Sequence, residues 1–290
     1  MQGFPIIEEV LGSGSGEGGP VRDLWTSFAR HCDGLLESMK ASRFDQFELA
    51  IRTWWATLTA EQVALVQHPL VSQLIYRGEL ALYENCLDFL HGQITVGLMA
   101  EQLGSLRTLA EGMESTQRFA LAPFDGSLFA APKVELAARF AHLLKRHLGL
   151  VQLGQALVVL LTNAETLQAM KDAWDLIDLK AIKNQCEMTL DCDCEALAET
   201  LDGERGLGFL LKSEQELKLQ VIINWVDTTF HHLGSSSSKE LFLKWSFASK
   251  EIIRDLTLRS DPSFGSFHIA CSFIDELLSF KVSCKRLLSC

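Results

Sequence analysis

Apolar residues recur at intervals of three or four along most of this chain, and this is the period of an α-helix. Two predicted apolar faces consist of Val134, Ala137, Ala138, Ala141, Leu144 and Leu148, and of Leu241, Trp245, Ala248, Ile252 and Leu256. No segment alternates convincingly with the period of two that is typical of a half-buried strand. The pattern therefore predicts an all-α fold, an irregular multi-helix bundle of about a dozen helices with no sheet.

Breaks in the helical pattern divide the chain into three parts. The glycine- and serine-rich run 12–19 is typical of a flexible linker, and Pro123 and Pro132 interrupt the pattern further on. We therefore expect a flexible tether at 1–20, a helical regulatory region at 21–121 and a helical dimerisation domain at 130–290. Helix starts are predicted at capping sequences that begin at Thr59, Ser213 and Ser238.

Net charge argues against direct DNA binding. The chain has 26 basic and 37 acidic residues, a net of −11, whereas duplex binding depends on basic side chains that displace counterions from phosphate. The last part, 239–290, has 8 basic and 6 acidic residues, a net of only +2. We therefore do not expect this chain to bind DNA well by itself.

The N-terminus and the longest apolar run both favour a protein that stays inside the cell. The N-terminus lacks the basic stretch of a secretory signal, and Glu8 and Glu9 follow it closely. Glycine and glutamine interrupt the longest apolar run, 148–161, which is shorter than the roughly 20 residues that span a bilayer. We interpret this run as a buried core helix and expect no membrane partner.

Candidate metal and thiol chemistry is limited. Eight cysteines in an intracellular chain predict free, buried thiols rather than disulfides. Cys186, Cys192 and Cys194 form the plausible metal cluster, but a closed zinc site needs four ligands, usually from two separated pairs. We therefore interpret the acidic cluster around these cysteines, which includes Asp191 and Asp193, as a solvated helix face or turn and expect no metal.

Motifs for catalysis are also missing from the sequence. Gly14, Gly16 and Gly19 match a dinucleotide-binding pattern, but they lie in the low-complexity linker without a convincing strand before them. The chain contains no zinc-protease motif, no nucleophile elbow and no P-loop lysine. The sequence thus predicts no enzyme, no cofactor and no small-molecule substrate.

The most distinctive stretch is the pair of strings 253–260 and 263–268, and Asp261 and Pro262 between them are predicted to end the first helix. On that helix Lys244 is expected to face away from Trp245, on a solvated face. Arg254, Asp255 and Arg259 stand among apolar residues, which suits a partly buried ion network that sets the register of two packed helices. Core packing and an intermolecular interface both remain open for this helix pair. The candidate packing and dimerisation residues are Leu241, Trp245, Phe247, Ile252, Ile253, Arg254, Asp255, Leu256, Leu258, Arg259, Phe264 and Phe267.

These strings, together with 241–247, resemble the end of the dimerisation region of the regulatory factor X (RFX) transcription factors. Weaker, collinear similarity covers 24–58, 137–159 and 186–194. The resemblance implies homodimers or heterodimers with other family members and a nuclear location, with the cytoplasm as a second compartment. Family members bind X-box DNA through a winged-helix domain. None precedes Phe4 here, so we expect DNA contact only through a longer product or a dimer partner.

The leading hypothesis is therefore the dimerisation and regulatory portion of an RFX-family regulator of RNA polymerase II genes. The alternative is a helical adaptor or scaffold that binds unrelated proteins. Oligomeric state distinguishes the two hypotheses, because only the first requires a dimer of this chain or of this chain with a family member.

Overall fold

The computed structural model describes residues 3–5, 18–124, 129–213, 218–230 and 236–288. These residues form thirteen α-helices and one short 3-10 turn, Ala122–Phe124, and they contain no strand. The helices are α1 Gly18–Lys40, α2 Phe44–Ala56, α3 Ala60–Val66, α4 Pro69–Gly92, α5 Ala100–Ala120, α6 Ala130–Thr162, α7 Ala164–Asp175, α8 Leu179–Leu190, α9 Glu195–Asp202, α10 Leu207–Lys212, α11 Leu219–Thr229, α12 Ser236–Leu258 and α13 Phe264–Leu288. The prediction of an all-α fold with about a dozen helices is confirmed.

Local side chains explain several helix starts. The Thr59 hydroxyl accepts a hydrogen bond from the Gln62 backbone N–H at 3.2 Å, and the Gln62 side chain accepts one from the Thr59 N–H at 2.9 Å. This reciprocal pair is the predicted capping box of α3. The second predicted box ends at Glu216, outside the described residues. Helix α12 begins at Ser236, three residues before the predicted start at Lys239.

The predicted tether falls mostly outside the described residues, which include only 3–5 and 18–20 of its length. Pro5 is buried, and the ring of Phe4 stacks on that of Trp25 with 4.9 Å between centroids. Helix α1 begins at Gly18, close to the predicted end of the tether. The apolar residue at position 4 thus packs against the first helix.

The chain forms two compact units. Unit 1 comprises Met1–Leu148 with Ser283–Cys290, and unit 2 comprises Gly149–Val282. The sequence boundary between them falls inside α6, which contributes its first part to unit 1 and its second part to unit 2. An uninterrupted helical pattern conceals such a boundary, because the hydrogen bonds of a helix are local.

In unit 1, α1 packs against α2, α3 and α4, while α2 packs against α5. The crossing of α1 and α4 is close at Gly78. A Cβ atom placed there would lie 2.8 Å from Phe28 Cε1 and 3.0 Å from Trp25 Cη2. Any side chain at position 78 would therefore displace these aromatic rings.

A buried polar network lies inside unit 1. Lys133 of α6 forms an ion pair with Glu79 of α4, and both residues are buried. The other carboxylate oxygen of Glu79 accepts hydrogen bonds from the Tyr83 hydroxyl at 3.3 Å and from Gln117 Nε2 at 3.2 Å. The ammonium of Lys133 also lies 4.9 Å from the ring centroid of Trp55, within cation–π range. These contacts offset the cost of removing two charges from water.

Unit 2 is organised around α12. Helices α8 and α9 both pack against α12, and they also pack against each other. The rings of Trp225 in α11 and Trp245 in α12 meet edge to face at 5.8 Å, and Trp174 in α7 stacks on Phe267 in α13 at 6.0 Å. Large rings from four helices thus form much of the core of unit 2.

Helix α6 contains the apolar run that the sequence analysis interprets as a core helix. By length and composition alone, α6 could cross a bilayer, and it is the one helix of the described residues with that property. Soluble core helices pass the same test, and 44% of its most apolar window is buried inside the protein. Leu150, Val151 and Leu157 are buried, whereas Val159 is 68% exposed. The run therefore has one face in the core and one face outside it.

Candidate interaction surface

The structure separates the twelve predicted packing and dimerisation residues into three groups, all on α12, α13 and the turn between them. Trp245, Ile252, Leu256 and Phe267 are buried. The partly exposed residues are Leu241, Phe247, Ile253 and Asp255, and the exposed residues are Arg254, Leu258, Arg259 and Phe264. The first group therefore contributes to the core of unit 2, and the third is available for contact with another molecule.

The inner face of α12 is held by a hydrogen bond as well as by apolar packing. Trp245 Nε1 donates to Asp275 Oδ1 of α13 at 2.8 Å, and the Ser249 hydroxyl donates to Asp275 Oδ2 at 3.4 Å. Burial raises the pKa of the Asp275 carboxyl group, and the hydrogen bond from Trp245 opposes this shift. The contact ties α12 to α13 and determines which face of α12 remains outward.

The outward face of α12 carries a row of residues at helical spacing. We call this row the α12 stripe: Leu243, Phe247, Lys250, Arg254 and Leu258. Each position is offset by two residues from a buried position such as Trp245 or Ile252, or about 200° around the helix axis. Leu243 is 62% exposed and Leu258 is 76% exposed. The stripe thus combines large apolar side chains with two cations on the face opposite the core.

The predicted ion network lies within α12 and the turn that follows it. Arg254 Nη1 lies 3.1 Å from Glu251 Oε2, three residues earlier in the same helix. Arg259 contacts Asp255 Oδ2 through Nε at 2.9 Å and Nη2 at 2.7 Å, and its Nη1 lies 3.8 Å from Asp261 Oδ2. These side chains are partly exposed, so solvent screens the attraction between them.

The turn between α12 and α13 has its own hydrogen bonds. Ser260 adopts a left-handed conformation with φ of 52°. Asp261 Oδ1 accepts hydrogen bonds from the Ser263 backbone N–H at 2.9 Å and from the Ser263 hydroxyl at 2.6 Å. These bonds lower the pKa of Asp261, the one from the hydroxyl most strongly. Helix α12 ends at Leu258, three residues before the end that the sequence predicts at Asp261 and Pro262, and α13 begins at Phe264.

Lys244 differs from the sequence-based expectation that it faces away from Trp245 on a solvated face. The side chain is 7% exposed. Its Nζ donates to the backbone carbonyl of Asp193 and lies 2.6 Å from Glu240 Oε1. The expectation is wrong because α8 and α9 cover this side of α12, and a long lysine chain can bury its methylenes while its amine finds a partner.

The predicted cysteine cluster lies on α8, which contains Cys186, and in the turn to α9, which contains Cys192 and Cys194. Cys186 and Cys194 are buried with 3.1 Å between their Sγ atoms, and Cys192 is partly exposed. The seven cysteines within the described part of the chain are free thiols, as predicted. Asp191 and Asp193 are exposed, so the acidic residues of this stretch face solvent while the side chains of Cys186 and Cys194 point inward.

Acidic side chains beside these thiols form a possible ligand set for a cation. One carboxylate oxygen from each of Glu187, Asp193 and Glu195 lies within 4.8 Å of the others. Lys183 already occupies this neighbourhood, since its Nζ bonds to Glu195 and lies 3.7 Å from Glu187 Oε1. The ammonium group thus balances part of the carboxylate charge without a metal ion.

Comparison with known protein sequences identifies a family to which this chain is similar. The sequence model of the RFX BCD domain matches residues 24–286. The DNA-binding protein RFX2 of Xenopus laevis is 26% identical over 90% of this chain and 41% of its own length. The transcription factor RFX3 of Danio rerio is 25% identical over 96% of this chain and 40% of its own length. No solved structure matches the chain.

The chain thus spans about two fifths of the length of the curated relatives it matches. The matched region includes nearly every helix described above, from α1 to most of α13. Because the domain model covers most of the chain, we conclude that this protein belongs to the RFX family and contains its BCD domain.

Proposed function

We propose that this chain is the region through which an RFX-family transcription regulator pairs with a second copy or with another family member. The α12 stripe is the observation that carries the proposal. Its leucines are exposed although the opposite face of the same helix is fully packed. Interfaces are enriched in aromatic residues and arginine, and the stripe contains Phe247 and Arg254.

The exposed leucines are well suited to a symmetric contact. Most homodimers are related by a two-fold axis, so that the same patch is buried on both copies. Burying one leucine side chain contributes roughly 1.5–3 kcal/mol. Leu243 and Leu258 each count twice in such an interface, and the hydrogen bond between Trp245 and Asp275 holds their helix in place beforehand. A rigid surface loses less entropy on binding than a mobile one.

We further propose that the regulator acts on RNA polymerase II genes in the nucleus. The names of the relatives describe a DNA-binding protein and a transcription factor. The net charge of −11 in this chain is unfavourable for contact with phosphate. DNA binding is therefore assigned to a winged-helix domain in a longer product or in a dimer partner, and this chain contributes the pairing surface.

The test measures mass in solution. At micromolar concentration, sedimentation equilibrium should give twice the 32.3 kDa chain mass. Replacing Leu243 by Glu should raise the dissociation constant at least about tenfold, because it removes an apolar contact and adds two charges per dimer. Leu49→Glu is the matched control, since Leu49 on α2 is 61% exposed and Leu243 is 62% exposed.

Three results would contradict parts of the proposal. A strictly monomeric wild-type chain that also fails to capture a purified RFX-family relative would remove the pairing function. Equal dissociation constants for the Leu243→Glu and Leu49→Glu variants would keep the dimer but remove the α12 stripe from its interface. Tagged protein seen by microscopy in the cytoplasm alone would overturn the nuclear assignment.

A further inference from the structure

The turn between α8 and α9 brings two thiols together in a way that the pairing function does not use. The Sγ atoms of Cys186 and Cys194 lie 3.1 Å apart, and both side chains have no exposed surface. A disulfide bond is about 2.05 Å long. The two sulfurs therefore need to approach by only about 1 Å to become bonded.

Backbone geometry brings this pair together. Helix α8 ends at Leu190, and Asp191 directly after it adopts a left-handed conformation with φ of 48° and ψ of 51° that reverses the direction of the chain. Cys194 then occupies the position just before α9. Its backbone N–H donates to Glu187 Oε1 at 3.4 Å, which ties the start of α9 back to α8. The thiols are thus positioned by the fold of the turn, not by a chance side-chain rotamer.

Charged groups surround the turn on more than one side. Lys183 bridges Glu187 and Glu195 across it, and Lys244 of α12 binds the carbonyl oxygen of Asp193, which lies inside the loop between the two cysteines. Burial raises the pKa of both thiols, while the charge of Lys244 acts in the opposite direction on Cys186. The pair is therefore protonated at rest and reacts slowly, because the thiolate is the reactive form.

We propose that Cys186 and Cys194 are a reversible dithiol–disulfide site that small-molecule disulfides of the glutathione type oxidise. Reducing compartments keep most protein thiols reduced, and disulfides that form there are usually transient and redox-sensing. The site belongs to this class because its sulfurs are already adjacent. Its bond would close a short loop around Asp193 and fix the turn whose Asp193 carbonyl accepts a hydrogen bond from Lys244 of α12.

The reaction balances with the oxidant alone. One cysteine loses its proton, and its thiolate attacks a sulfur of oxidised glutathione, which forms a mixed disulfide and releases one glutathione thiolate. The second cysteine loses its proton and attacks the first cysteine's sulfur, which releases the second glutathione thiolate. The two glutathione thiolates take up the two protons. The protein loses two electrons and two protons, and one oxidised glutathione becomes two reduced glutathione molecules.

The experiment equilibrates the native 290-residue chain with oxidised glutathione and then counts thiols. We expect the count to fall from eight to six and to return to eight with excess reduced dithiothreitol. Cleavage after Met188 and before Asp193 separates Cys186, Cys192 and Cys194 into different peptides. Mass spectrometry should then find the peptides of Cys186 and Cys194 joined, and amide exchange over 187–195 should slow on oxidation.

Matched variants sharpen the result. Cys192→Ser should retain the disulfide, because Cys192 lies in the same turn but outside the pair. Cys271→Ser should also retain it, since Cys271 is buried elsewhere on α13. Cys194→Ser should lose it. Retention of all eight thiols by the wild-type chain, or a disulfide that contains Cys192, would overturn the proposal, and the peptide map decides this even if a variant fails to fold.

Discussion

One group of charged residues in unit 1 and one in unit 2 show opposite arrangements. In unit 1, Lys133 and Glu79 are buried together, and aromatic rings surround the ammonium group. In unit 2, the cations Lys250 and Arg254 of the α12 stripe face outward beside exposed leucines. The buried charges of unit 1 can contact only other residues of the interior, whereas the exposed cations of unit 2 can contact a partner.

This difference separates the charges that affect packing inside the protein from those that can contact a partner molecule. Breaking a buried pair leaves an uncompensated charge in the core, so one substitution affects the entire unit. An exposed pair is screened by water and salt, so its removal changes stability little. We therefore expect stability to depend on the interior of unit 1 and association to depend on the α12 stripe.

The largest expected effect comes from the buried ion pair. Glu79→Ala should lower the free energy of unfolding by about 3–5 kcal/mol, because it leaves the Lys133 ammonium buried without its carboxylate. Urea unfolding followed by circular dichroism measures this change. The double variant Glu79→Leu/Lys133→Met should recover most of the loss, since well-packed apolar residues can replace a buried pair.

Glu135→Ala supplies the control for this prediction. Glu135 also forms an ion pair in unit 1, but its side chain is 63% exposed and that of its partner Arg139 is 39% exposed. Its removal should cost under about 1 kcal/mol. Similar losses for the Glu79 and Glu135 variants would show that burial does not distinguish the two pairs.

An intermediate effect is expected from pH. Burial, with a smaller contribution from Lys133, lowers the pKa of His31 to about 3. In the unfolded chain His31 takes up a proton near pH 6.5, whereas in the folded chain it does so only near pH 3. The free energy of unfolding therefore falls as pH decreases between these two values. Between about pH 7.5 and pH 5, His31 should account for about 2 kcal/mol of the lost stability.

Comparison with His31→Phe isolates this contribution. The aromatic replacement keeps a ring that can stack on Trp54, as His31 does with 5.1 Å between centroids. Urea unfolding of both proteins at the two pH values gives the difference directly. Equal losses of stability in the wild-type chain and the variant would mean that folding does not lower the pKa of His31.

The smallest effect on stability belongs to the outward charges of unit 2. Arg259→Gln removes the contacts with Asp255 and Asp261. It should lower the free energy of unfolding by under about 1 kcal/mol, because these side chains are partly exposed. The loss should shrink further in high salt. A loss above about 2 kcal/mol would place this network in the same class as the buried pair of unit 1.

The helical architecture was predictable because helix formation is local. Trp245, Ile252 and Leu256 repeat at intervals that place them on one side of a helix, and the structure buries all three. The capping box at Thr59 was also predictable from the sequence, since its two partners are three residues apart. These features depend on neighbours in the chain, and their spacing is visible without knowledge of the fold.

Other features depended on neighbours that are far apart in sequence. Lys133 and Glu79 are 54 positions apart, and a lysine is normally expected at the surface. Lys244 is buried because α8 and α9 happen to cover its side of α12. Periodicity describes one helix at a time and contains no information about which helix covers it. The buried charges were therefore missed.

The amino-acid sequence by itself determined the helices, the inner face of α12 and the resemblance to the RFX family, because each follows from residues close together in the chain. Only the tertiary structure decided that Leu243 and Leu258 remain exposed, that Lys133 and Lys244 are buried, and that Cys186 meets Cys194. The reason is physical: exposure and proximity result from packing between helices, and packing depends on all the elements that meet at one place.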